Sequence, residues 1–191
     1  MGIIKLHDKY FKPFISAETI AETIETMAQR IKSDLHDEVP LFVGIMNGSF
    51  IFAADFIRAY KDNCEVSFVK LTSYNGESSS GSVKQLIGID ENLEERTVVI
   101  LEDVIDTGTT LEEIYEIFRN QKVKQLKIAT LFFKPEVFRK GLPVDYIGLS
   151  VPDKFIVGYG LDYNGLGRNL ASIYQLTTQK MTNIVLFGPP G

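Results

Sequence analysis

Glu102 and Asp103 stand side by side at the end of an apolar run, Thr97-Val98-Val99-Ile100-Leu101, and a third carboxylate, Asp106, follows Val104 and Ile105. Thr107-Gly108-Thr109-Thr110 then makes a short, hydroxyl-rich turn ahead of Leu111-Glu112-Glu113-Ile114-Tyr115-Glu116-Ile117-Phe118. If that last stretch is a helix, the N–H groups of the turn lie at its positive end and form a site for an anion such as phosphate. The acids need a separate account, because adjacent carboxylates are poor strand residues and repel one another. Two readings fit. Either a buried strand reaches water and runs into an acidic first helical turn, or the site holds an anion together with the cations or hydroxyls that acids bind.

The elements that must position these groups follow from pattern. A continuous apolar run bounded by turn residues suits a strand buried on both faces, as in a parallel sheet. Thr110 and Glu113 have the spacing of a capping box, which starts the following helix at Thr110. Upstream, residues 16–35 form a helix capped by Ser16, with Ile20, Ile24, Met27, Ile31 and Leu35 as its buried stripe. Residues 41–46 read as a buried strand, Asn47-Gly48-Ser49 as a turn, 50–60 as a second apolar helix and 65–71 as another strand. Residues 72–90 differ in character: within them Asn75 to Ser82 is polar, small and poor in apolar anchors, which predicts a mobile loop. Strands follow at 125–133 and 144–151, with a short extra piece at 155–161. Strands alternating with helices give an α/β fold with a mainly parallel, twisted sheet flanked by helices. Ligands bind beyond the carboxyl ends of such strands, where the acidic run, the Asn47-Gly48-Ser49 turn and Lys134 all fall.

Composition narrows the class. The 191 residues fit one main domain, and 45% hydrophobic with 24% charged residues is ordinary for a globular protein. A formal charge of −5 argues against nucleic acid as a partner. No apolar run approaches the ~20 residues of a membrane span, and charges interrupt the N-terminal segment where a signal peptide would need an apolar core. Cys64 is the single cysteine, so an internal disulfide and a Cys-rich zinc site are excluded. A reducing cytoplasm is the expected setting. His7 and His36 match no site.

The run of apolar residues, Glu102-Asp103, two apolar residues and Asp106-Thr107-Gly108-Thr109-Thr110 resembles the phosphoribosyl pyrophosphate signature of the purine phosphoribosyltransferases. The resemblance is closest to the hypoxanthine-guanine enzymes and covers about residues 1–180. It implies the type I phosphoribosyltransferase fold, with a small hood that binds purine and a mobile lid loop. It further implies that Asp106, Thr107, Gly108, Thr109 and Thr110 wrap the donor's 5′-phosphate, that Glu102 and Asp103 serve the ribose hydroxyls and magnesium, and that Asp106 handles the purine N7 proton. Met46-Asn47-Gly48-Ser49 resembles the family's pyrophosphate loop, in which a non-proline cis peptide precedes the position of Asn47. Many relatives carry Lys there, and Asn47 lacks that charge. Ser73-Tyr74 matches the lid pair. Lys134 matches the donor to the purine 6-oxo group, Phe155 the ring that stacks on the base, and Ile156 the backbone that reads its edge. Asp162 matches the acid that reaches a second magnesium, and Arg168 a pyrophosphate contact. Taken singly, Phe155 reads as a core aromatic and Lys134 as a surface lysine; their order along the chain gives them these roles.

The resemblance implies a magnesium-dependent enzyme that joins phosphoribosyl pyrophosphate to a 6-oxopurine base, without a nucleic-acid or membrane partner, and assembled as a homodimer or homotetramer. A preference for xanthine or a pyrimidine, and a non-catalytic nucleotide sensor that binds RNA on the same fold, stay open as alternatives. The last segment, 181–191, resembles the opening strand and half of the phosphate loop of an adenylate kinase, without the lysine that such a loop needs. It is expected to be the truncated start of a second domain in a longer fusion, with a C-terminal strand capped by Gly and Pro as the alternative.

Overall fold

The computed structural model describes residues 2–74, 83–87, 92–119 and 121–178. The 75–82 part of the polar loop and the 181–191 tail lie outside the described residues.

Two sheets make the fold. The larger has strand order β5-β4-β3-β6-β7-β8, built from β3 (Leu41–Met46), β4 (Glu65–Tyr74), β5 (Val83–Ile87), β6 (Thr97–Ile105), β7 (Gln125–Phe133) and β8 (Tyr146–Ser150). Pairing is parallel from β4 through β8, and β5 alone is antiparallel to its neighbour. Period-2 geometry sends successive side chains to opposite faces, and the cores divide accordingly. Leu41, Val43, Val98 and Ile100 pack under helix α3 (Thr109–Arg119), while Phe42, Val99 and Leu101 pack under α1 (Ala17–Asp34) and α2 (Phe50–Tyr60). This is the expected mainly parallel, helix-flanked sheet. Among the described residues, no helix is long and apolar enough to cross a membrane.

Helix α1 starts as its sequence predicts: the Ser16 hydroxyl accepts from Thr19 N at 3.2 Å, and the stripe from Ile20 to Leu35 is buried. The start of α3 differs from expectation. Glu112 N donates to Gly108 O at 3.0 Å, and the helix begins at Thr109, one turn position before the Thr110 cap. Thr110 therefore lies within the first turn, exposed beside the anion loop.

The smaller sheet, ordered β1-β2-β10-β9, joins β1 (Ile4–Leu6), β2 (Lys9–Ile15), β9 (Ile156–Val157) and β10 (Ile173–Thr177) in antiparallel fashion. It is the hood that the family resemblance implies, although periodicity had marked none of β1, β2 or β10. Pro13 and two lysines interrupt β2, and its partner β10 is about 160 residues away, with a register shift between Ile173 and Tyr174. Strand β5, just after the polar loop, likewise falls where no strand was read.

Phe42 is fully buried, with ring centroids 5.0 Å from Phe56 and 4.9 Å from Tyr60. Phe42→Ala is expected to destabilise the fold by about 3–5 kcal/mol, read as a lower urea midpoint at unchanged slope.

Candidate active site

Three neighbouring parallel strands end together, and the next residues of each carry the chemistry. Beyond β3 come Asn47 and Gly48, beyond β6 comes Asp106, and beyond β7 comes Lys134. The Met46–Asn47 peptide is cis, as the resemblance implies. Ile105 and Phe133 are register partners, and Lys134 N donates to Ile105 O at 2.9 Å, so the pairing of β6 with β7 sets Asp106 beside Lys134. The Lys134 ammonium lies 2.7 Å from Asp106 Oδ2 and 3.4 Å from Asp153 Oδ1. With the lysine only 7% exposed, the two carboxylates supply the pairing that a buried charge requires.

Gly48 fixes the next contact. A β-carbon there would overlap Asp103 Oδ2, so the turn after β3 rests directly on that carboxylate. Gly160, at φ +98°, would in turn drive a β-carbon into the Gly48 carbonyl oxygen. The hood loop thus docks on the sheet where neither chain has a side chain. Arg168 completes the corner: Nη1 donates to Gly160 O at 2.6 Å and Nη2 pairs with Asp162 Oδ1 at 2.6 Å, while Asp162 Oδ2 accepts from Gly165 N at 2.6 Å.

The paired acids are held against their own charge. Burial and the neighbouring Asp103 push the Glu102 carboxyl well above the usual range, and its Oε2 has no hydrogen-bond partner among the described residues. Burial raises Asp103 to about 6, against the opposing pull of the Val104 N–H at 2.9 Å and of Arg168. Among the described residues no three His, Cys, Asp or Glu side chains converge tightly enough to hold a metal by themselves.

Asp103, Asp106, Lys134, Phe155, Asp162 and Arg168 all face one cavity of about 310 Å³, with Gly48 and Ile156 in its wall. Phe155 is 44% exposed at the mouth, its ring 6.3 Å from Phe11 and 5.8 Å from Tyr163, with Lys9 Nζ 5.8 Å away. The Phe155 carbonyl accepts from Leu176 N at 2.8 Å, which ties this segment to β10. A second hollow of about 280 Å³ is lined by Glu102 and by the turn from Asp106 to Thr110, where the Thr107 and Thr109 hydroxyls stand 3.1 Å apart. Met46 and Asn47 are exposed at the rim. Ser73 and Tyr74 end β4, and the roles given to their side chains lie outside what the structure describes. Sequence reading passed over Asp153 and Gly160; the acid two residues before Phe155 and the glycine two residues before Asp162 were the available signals.

A mainly parallel sheet, one of whose inner strands runs through paired acids into a Thr- and Gly-rich turn, roofed by a small antiparallel hood, is a phosphoribosyl transferase arrangement. The family described as phosphoribosyl transferase domain matches residues 16–164, and the chain belongs to that family. It is similar to the hypoxanthine-guanine phosphoribosyltransferase of Bacillus subtilis, 39% identical over 163 residues covering 85% of this chain and 91% of that one. The enzyme of the same description from Aquifex aeolicus is 36% identical, over 90% of this chain and 98% of its own. Among solved structures, a hypoxanthine-guanine phosphoribosyltransferase from Bacillus anthracis superposes with a TM-score of 0.79 at 35% identity, covering 87% of this chain and 98% of that one.

Raised carboxyl pKa values mean that the folded protein holds these protons more tightly than the unfolded chain. For Asp103, ligand-free stability therefore falls as pH rises from about 4 to about 6 and stays lower above that. Asp103→Asn keeps the acceptor for Val104 N and removes the buried charge. It is expected to unfold about 1–2 kcal/mol later than the parent at pH 7.5 and at a similar denaturant concentration at pH 4, as measured by chemical denaturation at both values.

Proposed function

We propose that this protein transfers a phosphoribosyl group from phosphoribosyl pyrophosphate to N9 of hypoxanthine or guanine, giving IMP or GMP and pyrophosphate. The observation that carries this reading is the single cavity at the strand ends shared by Lys134, Asp106, Phe155, Asp103 and Arg168. A buried ammonium suits a 6-oxo group and has nothing to offer the 6-amino group of adenine. Phe155 presents a ring face for the base, and the Ile156 backbone meets its edge.

In this reading the turn from Thr107 to Thr110 takes the donor's 5′-phosphate through backbone N–H groups and hydroxyls. Glu102 and Asp103 face the ribose hydroxyls. Asn47, Gly48 and Arg168 address the pyrophosphate, with the guanidinium fork supplying the charge that Asn47 does not. The donor set fits magnesium, which favours oxygen ligands and keeps several waters. Glu102 and Asp103 would hold it beside the ribose, and Asp162, already engaged by Arg168 and Gly165, would hold a second ion through water. When bound, magnesium neutralises charge on the departing pyrophosphate. The protein's own residues align the base with the ribose carbon, and Asp106 takes the N7 proton as the new glycosidic bond forms. Ser73 and Tyr74 on a closing lid would keep water from the reacting ribose. The same reading makes the protein a cytoplasmic enzyme assembled as a homodimer or homotetramer, with residues 1–180 forming the catalytic domain.

Incubation with donor, magnesium and each of hypoxanthine, guanine, xanthine, uracil and adenine tests the assignment. Nucleotide is expected from hypoxanthine or guanine; folded protein that makes none from any oxopurine refutes it. Asp106→Asn is expected to lower kcat by about 10²-fold or more while donor KM changes far less. Equal losses in both would count against a proton-transfer role.

A further inference from the structure

Lys134 has three N–H donors and, among the described residues, two carboxylates within ion-pair distance: Asp106 at 2.7 Å and Asp153 at 3.4 Å. We propose that Asp153 is a positioning residue that shares the Lys134 ammonium with Asp106, so that Asp106 can be protonated without leaving a buried lysine unpaired. This rests on the oxopurine reading given above.

The geometry separates the two acids. Asp106 follows β6 and lines the cavity, whereas Asp153 stands on the loop after β8 and is outside its lining. That loop is pinned independently of any ligand. Val151 N donates to Phe133 O at 2.8 Å, Lys154 N to Pro152 O at 2.7 Å, and Asp153 N to Glu136 Oε2 at 3.3 Å. Asp153 is thus held within reach of the ammonium by a loop whose acid does not line the cavity. Of the other charged groups around the cavity, Asp162 and Arg168 pair with each other and Asp103 lies against Gly48.

During transfer the N7–H bond of the base breaks and its proton passes to the Asp106 carboxylate, which becomes neutral. Lys134 remains an ammonium, with one N–H on the base oxygen, and loses the anionic half of its closest pair. A buried charge stripped of its partner is strongly destabilised, and Asp153 remains to balance it. Asp153 touches neither base nor donor; it acts through Lys134.

Steady-state kinetics of Asp153→Asn and Asp153→Glu with hypoxanthine and guanine test the assignment. Asp153→Asn is expected to lower kcat about tenfold or more, leave donor KM within about twofold and shift the thermal midpoint little; Asp153→Glu is expected to restore most of kcat. Should Asp153→Asn not fold, Asp153→Ser carries the same expectation. A kcat unchanged in the neutral variants overturns the inference, as does a loss that Glu fails to rescue or one that falls equally on donor KM. An inactive parent protein overturns the proposed function and this inference with it. An active parent with an indifferent Asp153 overturns the inference alone.

Discussion

The site depends on two glycines, Gly48 and Gly160, whose contacts leave no room for a β-carbon. Asp103 ends the acidic stretch of β6, Gly48 lies on it, and Gly160 of the hood loop lies on the Gly48 carbonyl. This stack is what brings hood and sheet together, so that Phe155 and Ile156 from one and Asp106 and Lys134 from the other face a common space. Arg168, bonded to the Gly160 carbonyl and to Asp162, closes the corner that the glycines leave open.

Such close packing has an electrostatic cost that the Val104 N–H and Arg168 relieve only in part. Glu102 is buried, Asp103 beside it is partly so, both are raised in pKa, and one Glu102 oxygen has no partner among the described residues. Apolar side chains at these positions would stabilise the strand end. Local rules that fail in an otherwise consistent fold mark function, and here the failure falls on the groups to which the proposed function gives the ribose hydroxyls and magnesium. Lys134 shows the opposite solution, a charge as deeply buried but matched by two anions.

What could be read from the sequence followed from whether a signal was local. The runs 41–46, 97–101 and 125–133, and the Ile20-to-Leu35 stripe, carry their signal within a few residues, and their elements lie where the pattern put them, with β6 continuing through the two acids to Ile105. The hood strands have no such signal, because β2 is defined only by pairing with β10 at the other end of the chain. The helix start at Thr109 was set by the Gly108 carbonyl, a backbone group that a side-chain motif cannot report. Resemblance brought Lys134, Phe155, Asp162 and Arg168 into view, and the structure sets them around one cavity. It could not bring in Asp153, whose meaning arises only once Lys134 and the loop after β8 are neighbours in space.

The pairing of β6 with β7 has one more consequence. Asp106 and Lys134 are each the first residue beyond a register pair, Ile105 with Phe133, so their separation is written into the hydrogen-bond ladder and not into the helix and turn that connect them. The length of the crossover that follows the Thr107–Thr110 turn therefore does not set the distance between the acid and the ammonium. A slip of one residue in the ladder would part them at once. The geometry of the pair is thus a property of strand register, carried by backbone hydrogen bonds that no side chain of the crossover supplies.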